Sequence, residues 1–378
     1  MNIRKKSENI SGTSQNRRAT VIPFIAVMLC VLVLGPLALR VRAEDRGESY
    51  RKGLRYIEAW EVDKAAAIAR DLMKRDPSDP HYRYLMAKVL YYRGEYAEAG
   101  DVLSQAMEKL SGDGEASFLW EMITRTVEAA RPLTTYEGAD MVISLDAEKD
   151  SILLPYIREA MRGVLAAMEE RLGYRPRNPI RIEVYPDPGS FHLASSLTRR
   201  DIEVSGAVGI CKFNKIMLIS PRALARGYPW QDTLSHEYMH YVIVMMSGNR
   251  APVWLHEGMA KYYETLWRGE SGFALGPVPR TLLARALEDD SLVTFEEMYP
   301  SLVRLETAEE VQLAYAEGVT AVDFIVGFAG DAGLGKALRR MALEPLADPM
   351  QVMESSLGLT GGEFTGLWLE HLRGLGLE

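Results

Sequence analysis

The stretch TLSHEYMHYVIVMMSGNRAPVWLHEGMAKYYE, residues 233–264, contains three of the six histidines of the chain within 21 residues. Its periodicity predicts two helices, at about 231–247 and 253–268. Side chains four residues apart share one face of a helix, so His236 and His240 point the same way. The residues around them are apolar, and imidazoles in such surroundings need partners. The stretch therefore predicts two packed helices with a polar site between them.

Glu237 completes an H-E-x-x-H pattern, whose spacing suits a zinc ion. Zinc accepts neutral imidazoles, and two histidines with one carboxylate leave a fourth position for water. A glutamate beside the first histidine faces that water and can take its proton. The alternative is a helix with two surface histidines and no metal. The apolar surroundings disfavour this alternative, with Leu234, Met239, Val242 and Ile243 next to the two histidines.

The third ligand is expected in the second helix, where two adjacent residues compete for the role. Glu257 has apolar residues at three- and four-residue spacing, which places it on the core side of the helix. A buried carboxylate without a counter-charge is unfavourable, and a metal ion would supply the charge. His256 is the rival, because it is adjacent and imidazole is an excellent ligand. We favour Glu257.

The pattern HEYMH, followed by sixteen residues and the glutamate of WLHEG, resembles the gluzincin metallopeptidases. These include the thermolysin-like and membrane-alanyl-aminopeptidase-like enzymes and the smaller peptidase MA-like bacterial domains. The resemblance covers about residues 135–375 and is most specific at 236–257. The stretch AYAEGVTAVDFIVGFAG, residues 314–330, is similar to the helix that packs behind the site in peptidase MA-like domains.

The resemblance implies that His236, His240 and Glu257 bind one Zn²⁺ per chain and that Glu237 is the general base. It also implies that Tyr315 stabilises the oxyanion of the tetrahedral intermediate; the alternative is a core tyrosine. For Glu264 two interpretations stay open: it orients a ligand histidine, or it is a solvated helix residue.

One departure from the family concerns the residues GAVGI at 206–210. Aminopeptidases of the clan carry a glutamate in the comparable segment, which holds the free amine of the substrate, and this chain has no carboxylate there. An endopeptidase is therefore favoured over an aminopeptidase. Gly206, Ala207, Val208 and Gly209 could instead form an edge whose backbone pairs with an extended substrate. Cys211 is interpreted as a packing residue.

The remaining pattern predicts an α+β fold with a small sheet followed by many helices. Strands are expected at 140–146, 178–187, 204–210 and 215–221, with a turn at Phe213-Asn214. Further helices are expected at 151–173, 278–288, 306–328, 334–342 and 362–374.

The N-terminus predicts targeting to a membrane. Residues 1–19 form a basic tail, and residues 20–39 run without a charge for about the length that spans a bilayer. A secretory hydrophobic region is shorter, roughly 7–15 residues, so an uncleaved anchor is favoured over a cleaved signal. We expect a single-pass membrane protein with its catalytic domain outside the cytoplasm, periplasmic or extracellular.

Residues 46–131 predict an all-α segment with an internal repeat. The segments 61–73 and 95–107 align at an offset of 34 residues, which resembles the tetratricopeptide repeat. Trp60 stands where the second unit has the usual glycine, Gly94. Two functions stay open: a groove that binds a protein partner, or a helical spacer between the membrane and a C-terminal peptidase domain at 132–378.

The composition excludes one class of partner. The net charge is −8, so no basic surface is available for nucleic acid. Together the patterns predict a membrane-anchored metallopeptidase that acts on peptides or proteins, in which a zinc-activated water attacks the peptide carbonyl. The alternative is a non-catalytic envelope scaffold or binding protein that retains the peptidase fold.

Overall fold

The computed structural model describes residues 47–198, 206–269, 274–299, 302, 305–360 and 362–377. The chain divides into two compact units, Met1–Arg51 and Lys52–Glu378. Within the first unit, residues 47–51 are described and are helical. The predicted basic tail at 1–19 and the predicted anchor at 20–39 lie outside the described residues.

The second unit begins with five helices, which we call the helical segment. They are α1 (52–58), α2 (Val62–Arg75), α3 (Pro80–Tyr92), α4 (Tyr96–Met107) and α5 (Gly114–Ala130). Gly53 lies so close to Leu85 that a β-carbon would clash with its side chain, so α1 and α3 cross tightly. The turns before α2 and α4 have the same backbone form: Trp60 and Gly94, 34 residues apart, both have positive φ, at 55° and 78°. The tetratricopeptide resemblance and the domain boundaries themselves stay predictions.

A five-stranded sheet follows in the order β1-β2-β3-β5-β4. The strands are β1 (Leu133–Glu137), β2 (Met141–Asp146), β3 (Ile180–Tyr185), β4 (Gly209–Lys212) and β5 (Lys215–Ile219). The central strands β2, β3 and β5 are parallel, and β1 and β4 pair antiparallel at the edges. The mixed α+β fold is thus confirmed. The sequence missed β1. Strand β4 begins at Gly209, so residues 206–208 of the predicted strand are not part of it, and residues 204 and 205 lie outside the described residues.

The two faces of the sheet pack against different layers. Alternate residues of a strand point to opposite faces. Ile182 and Ile216 belong to the main hydrophobic core. Glu183 and Lys215 point the other way, where a buried ion pair of 3.0 Å joins them and Lys215 Nζ donates to the Tyr96 hydroxyl of α4 at 2.7 Å. The helical segment is therefore packed directly on the sheet.

The rest of the unit is mainly helical. Its α-helices are α6 (Ala147–Asp150), α7 (Leu154–Leu172), α8 (Pro188–Ser195), α9 (Trp230–Ser247), α10 (Val253–Tyr263), α11 (Pro277–Glu288), α12 (Ala308–Leu343), α13 (Pro349–Leu357) and α14 (Glu363–Gly374). Short 3₁₀ turns lie at Ser151–Leu153, Pro221–Ala223 and Leu266–Arg268. Helices α8 and α13 were not predicted, and the predicted helix at 253–268 ends at Tyr263.

The two helices predicted at 306–328 and 334–342 form the single element α12, kinked at Gly330, whose φ of 71° and ψ of 169° are not helical. Among the described helices, α12 is the one whose length and composition would allow it to cross a membrane. Because 61% of its most apolar window is buried within the protein, it is placed as a core helix. It packs most extensively against α10.

Candidate metal centre

The turn between α9 and α10 brings the two halves of the site together. Gly248 and Asn249 both adopt left-handed backbone, with φ of 63° and 62°. The Ser247 hydroxyl accepts hydrogen bonds from the N–H groups of Arg250 and Ala251, at 3.2 and 3.3 Å. Left-handed residues end helices because they reverse the chain direction. Helix α10 therefore packs back against α9 with Glu257 level with the two histidines.

His236, His240 and Glu257 form the one group of three potential ligands that the described residues contain, with one atom from each within 4.8 Å of the others. Both histidine Nε2 atoms lie 3.7 Å from the same Glu257 oxygen. A tetrahedral zinc ion with bonds of about 2.0–2.2 Å separates its ligand atoms by about 3.4 Å. The donor set and its spacing therefore fit a zinc ion. The side chains are 15–20% exposed, so the group opens onto a cleft rather than lying in the core.

Charges in the group are balanced by its own members. Burial lowers the pKa of His240 to about 3, so its imidazole is neutral, as a ligand requires. Burial also disfavours a charged His236, but hydrogen bonds to Glu257 and Glu264 raise its pKa to about 10. Burial would raise the pKa of Glu257, yet the adjoining His240 and His236 lower it to about 2. Glu257 is thus ionised, and either a protonated His236 or a bound metal ion can balance its negative charge.

Each of the two candidate ligand histidines has a partner for its second nitrogen. The Nδ1 atom of His236 lies 3.4 Å from a Glu264 oxygen, and Lys261 Nζ lies 2.5 Å from the other oxygen of that carboxylate. The Nδ1 atom of His240 lies 3.4 Å from Nδ1 of His256. Partners of this kind fix the tautomer and the ring orientation of a ligand. His256 thus lies behind His240, whereas Glu257 faces both histidines.

Glu237, a residue of α9, is 7% exposed and faces the edge strand β4. The backbone N–H of Cys211 donates a hydrogen bond to its carboxylate. A β-carbon on Gly209 would come within 3.0 Å of Glu237 Cγ and 2.8 Å of Thr233 Cγ2, so glycine permits this close approach. Burial raises the pKa of Glu237 to about 7. The raised pKa could not be predicted from the sequence, which does not show how closely β4 covers the side chain.

Tyr315 reaches the site because α12 crosses α10 at a pair of glycines. A β-carbon on Gly258 would overlap the carbonyl oxygen of Gly318, so the two backbones touch. Tyr315 and Glu257 line the same cleft, with the tyrosine hydroxyl close to the carboxylate. The charge of that carboxylate, together with burial, holds the pKa of the hydroxyl well above its ordinary value. Tyr315 is therefore a hydrogen-bond donor at the site.

The site lies on the wall of a cleft of about 690 Å³. The four residues predicted as a substrate edge, Gly206, Ala207, Val208 and Gly209, all line it. Only Gly209 belongs to β4, and the other three precede the strand. The Val208 carbonyl still accepts a hydrogen bond from the N–H of Ile219 in β5, at 2.9 Å.

Three features of the cleft were not predicted from the sequence. They are the Cys211 N–H on Glu237, the contact of His256 with His240, and the presence of Glu58, Trp60 and Tyr92 from the helical segment in the cleft lining. Each depends on segments far apart in the chain, and neither periodicity nor motif spacing reports such contacts. For the third feature the sequence offered one signal, Trp60 at the position where the second repeat unit has Gly94.

Comparison with known proteins agrees with this geometry. The family model for the Peptidase MA superfamily matches residues 160–369. A relative in Bacillus subtilis (strain 168), the uncharacterized protein YhcO, is 25% identical over 187 residues. The matched region is 45% of this chain and 54% of that protein, so the chain spans about half the length of this curated relative.

Proposed function

The chain belongs to the Peptidase MA superfamily, and on that premise we propose that it is a zinc-dependent endopeptidase acting on peptide or protein substrates. The observation that supports the zinc chemistry is the convergence of two histidine Nε2 atoms on one oxygen of Glu257, beside the buried Glu237. This arrangement supports the resemblance to the gluzincins. A structural zinc site would be closed by four protein ligands, whereas three leave a position for a reactant.

The roles of the side chains follow from their positions. When bound, zinc would polarise the peptide carbonyl and lower the pKa of a water molecule. Glu237, held by the Cys211 N–H, would accept a proton from the attacking water and pass it to the leaving amine. Tyr315, kept protonated by Glu257, would donate a hydrogen bond to the developing oxyanion. Glu264 would hold the ring of His236 in the ligand orientation.

The cleft lining favours an endopeptidase over an aminopeptidase. Residues 206–212, which line the cleft beside Glu237, include no carboxylate that could hold a free α-amine. Strand β4 forms the edge of the described sheet and borders the cleft, so an extended chain could lie along it. A substrate segment remote from either terminus would fit this arrangement.

Cleavage of an unfolded protein tests the proposal. We expect the purified chain to cleave reduced and carboxymethylated casein at internal bonds, to lose this activity with a chelator and to regain it when zinc is restored. Glu237→Gln should abolish cleavage, because the general base is removed. The matched control is Glu98→Gln, which changes an exposed carboxylate of α4 outside the cleft. Cleavage by Glu237→Gln equal to wild type, or no cleavage at any pH, would contradict the proposal.

We further propose that residues 20–39 anchor the chain in a membrane with the catalytic domain outside the cytoplasm, and that residues 46–131 are a tetratricopeptide-like segment. The charge-free run and the 34-residue offset support these assignments. Extraction of membranes with alkaline carbonate tests the first: an anchored chain stays in the pellet, and release into the supernatant would rule the anchor out.

A further inference from the structure

The cleft extends beyond residues 132–378, which we call the peptidase part, onto the helical segment. Among its lining residues, Glu58, Trp60 and Tyr92 come from α1, the turn before α2 and the end of α3. They share the cleft with Phe213 at the tip of the β4–β5 hairpin and with the metal-site residues. The helical segment is therefore part of the wall around the site, which neither sequence interpretation, a partner groove or a spacer, included.

Two contacts hold this wall against the peptidase part. The Asn249 side chain, in the turn between α9 and α10, donates to the Glu58 carbonyl at 3.2 Å. The Tyr92 ring meets Phe213 edge-on at 5.8 Å between centroids. The buried ion pair of the sheet, Glu183 with Lys215, contacts α4 through the Tyr96 hydroxyl and is almost fully enclosed by protein. Such a surface is preorganised, because a ligand need not order it.

Trp60 occupies a backbone conformation that favours glycine. Its φ is 55°, and the equivalent position in the second unit is Gly94. Left-handed backbone is unfavourable for a residue with a β-carbon. The indole offsets this cost by packing 5.9 Å from the Tyr241 ring of α9, and it is 9% exposed where it lines the cleft. A strained residue retained at the wall of a functional site indicates a role there.

We propose that Trp60, Tyr92 and Phe213 form a substrate subsite that accepts a large apolar side chain of an extended peptide. The three aromatic rings provide the apolar wall, and β4, beside them, gives the direction along which a peptide would run. The subsite lies at a fixed distance from the catalytic centre, so it selects a residue at a fixed number of positions from the scissile bond. This inference rests on the proposed peptidase function.

The cleavage pattern tests the subsite. The zinc-loaded full chain, Trp60→Gly and Trp60→Phe are compared on carboxymethylated casein, with cleavage sites mapped by mass spectrometry and KM and kcat measured on one released peptide. Glycine suits the backbone of position 60, so Trp60→Gly should fold and bind zinc. It should lose the preference for a large apolar residue at one position and raise KM roughly tenfold with kcat little changed. Trp60→Phe should keep most of the preference.

The matched control is Trp120→Phe, which alters a tryptophan of α5 that does not line the cleft. It should match the wild type. An unchanged cleavage pattern in folded, zinc-bound Trp60→Gly would overturn the subsite.

A binding measurement separates this inference from the peptidase proposal. A photo-crosslinking amino acid is placed at position 58, in the cleft wall, or at position 98, an exposed site of α4 outside it, in zinc-loaded Glu237→Gln. Fluorescein-labelled casein should crosslink at 58 and not at 98. Crosslinking at 58 together with a wild type that cleaves nothing would refute the peptidase and keep the subsite. Equal crosslinking at both positions would refute the subsite.

Discussion

At the scale of single residues, two neighbours on one helix have different tasks at the site. Glu257 presents an oxygen 3.7 Å from both ligand histidines, whereas His256 contacts His240 from behind. Successive helix residues point about 100° apart, so His256 and Glu257 cannot both face the candidate metal position. The resemblance to the gluzincins, together with the spacing of apolar residues around Glu257, carried this information in the sequence. The Cys211 N–H on Glu237 could not be predicted, because it requires β4 to lie against α9.

Substitution of the two neighbours distinguishes a ligand from its support. We expect Glu257→Ala to weaken zinc affinity by far more than 100-fold, since a ligand is lost. His256→Ala should weaken it by roughly tenfold, because only the support of His240 is removed. Competition with a chromogenic chelator measures both affinities. The reverse order of the two effects would make His256 the ligand.

At the scale of elements, the helix α9, the turn and the helix α10 were the most predictable part of the fold. Their caps and periodicity are local properties, with Pro252 and Gly248 at the boundaries. Strand β1 was missed because LTTYE is short, partly polar and at an edge, where burial imposes little pattern. The start of β4 was placed too early because residues 206–208, though apolar or small, line the cleft instead of pairing as a strand.

The crossing of α10 and α12 gives a prediction about packing. Gly258→Ala places a β-carbon on the Gly318 carbonyl and should lower the free energy of unfolding by about 1–3 kcal/mol, since the backbones must separate. Zinc affinity should fall with it, because Glu257 and Tyr315 move apart. Gly327→Ala in α12 is the control: a β-carbon there meets nothing, so stability should be equal or higher. Urea unfolding measures the stability of both variants. A Gly258→Ala variant as stable as the wild type would show that the two helices are not in close contact at the crossing.

Helix α12 also carries a buried carboxylate that makes stability depend on pH. Glu317 is fully buried and accepts a hydrogen bond from the Val293 N–H at 2.9 Å, and its other oxygen has no partner among the described residues. Burial raises the pKa of Glu317 to about 8, from an ordinary value of 4.5. The folded state therefore keeps a proton that the unfolded state loses first. Stability is highest below pH 4.5 as far as this group is concerned, and falls as the pH rises toward 8.

Unfolding of Glu317→Gln in urea at pH 5 and pH 8 tests this sign. Glutamine stays neutral at both pH values. The free energy of unfolding of the variant, relative to that of the wild type, should therefore increase by up to about 4 kcal/mol from pH 5 to pH 8. Glu309→Gln, an exposed change on the same helix, is the control. If the free energies of unfolding of wild type and Glu317→Gln change in parallel with pH, Glu317 is ionised in the folded protein.

At the scale of the whole molecule, the helical segment and the peptidase part form one compact unit, Lys52–Glu378. Composition and repeats predicted an α segment followed by an α+β part, and this order is observed. The sequence could not predict that the segment packs on the sheet, because the contact depends on Tyr96 meeting a charged pair on strands about 90 and 120 residues further along. Charged residues on central strands are uncommon, and Glu183 and Lys215 were the available signal.

Removal of Lys215 from the ion pair tests how much the packing of the helical segment on the sheet contributes to stability. Lys215→Met leaves Glu183 buried without its counter-charge and should lower the free energy of unfolding by about 3–5 kcal/mol. It should also expose the connection between α5 and β1 to limited proteolysis. Lys74→Met, at an exposed site of α2, should stay within about 0.5 kcal/mol of wild type. Equal stability of Lys215→Met and wild type would mean that the pair does not hold the segment on the sheet.

The most direct test of the central claim is the zinc content of the purified chain, measured by mass spectrometry of the metal in wild type, Glu237→Gln and His240→Ala. Glu237 does not belong to the ligand group, whereas His240 does. We predict one zinc ion per chain in wild type and in Glu237→Gln, and none in His240→Ala. A folded wild-type chain that binds no zinc when it is supplied, or a His240→Ala variant that retains it, would contradict the account.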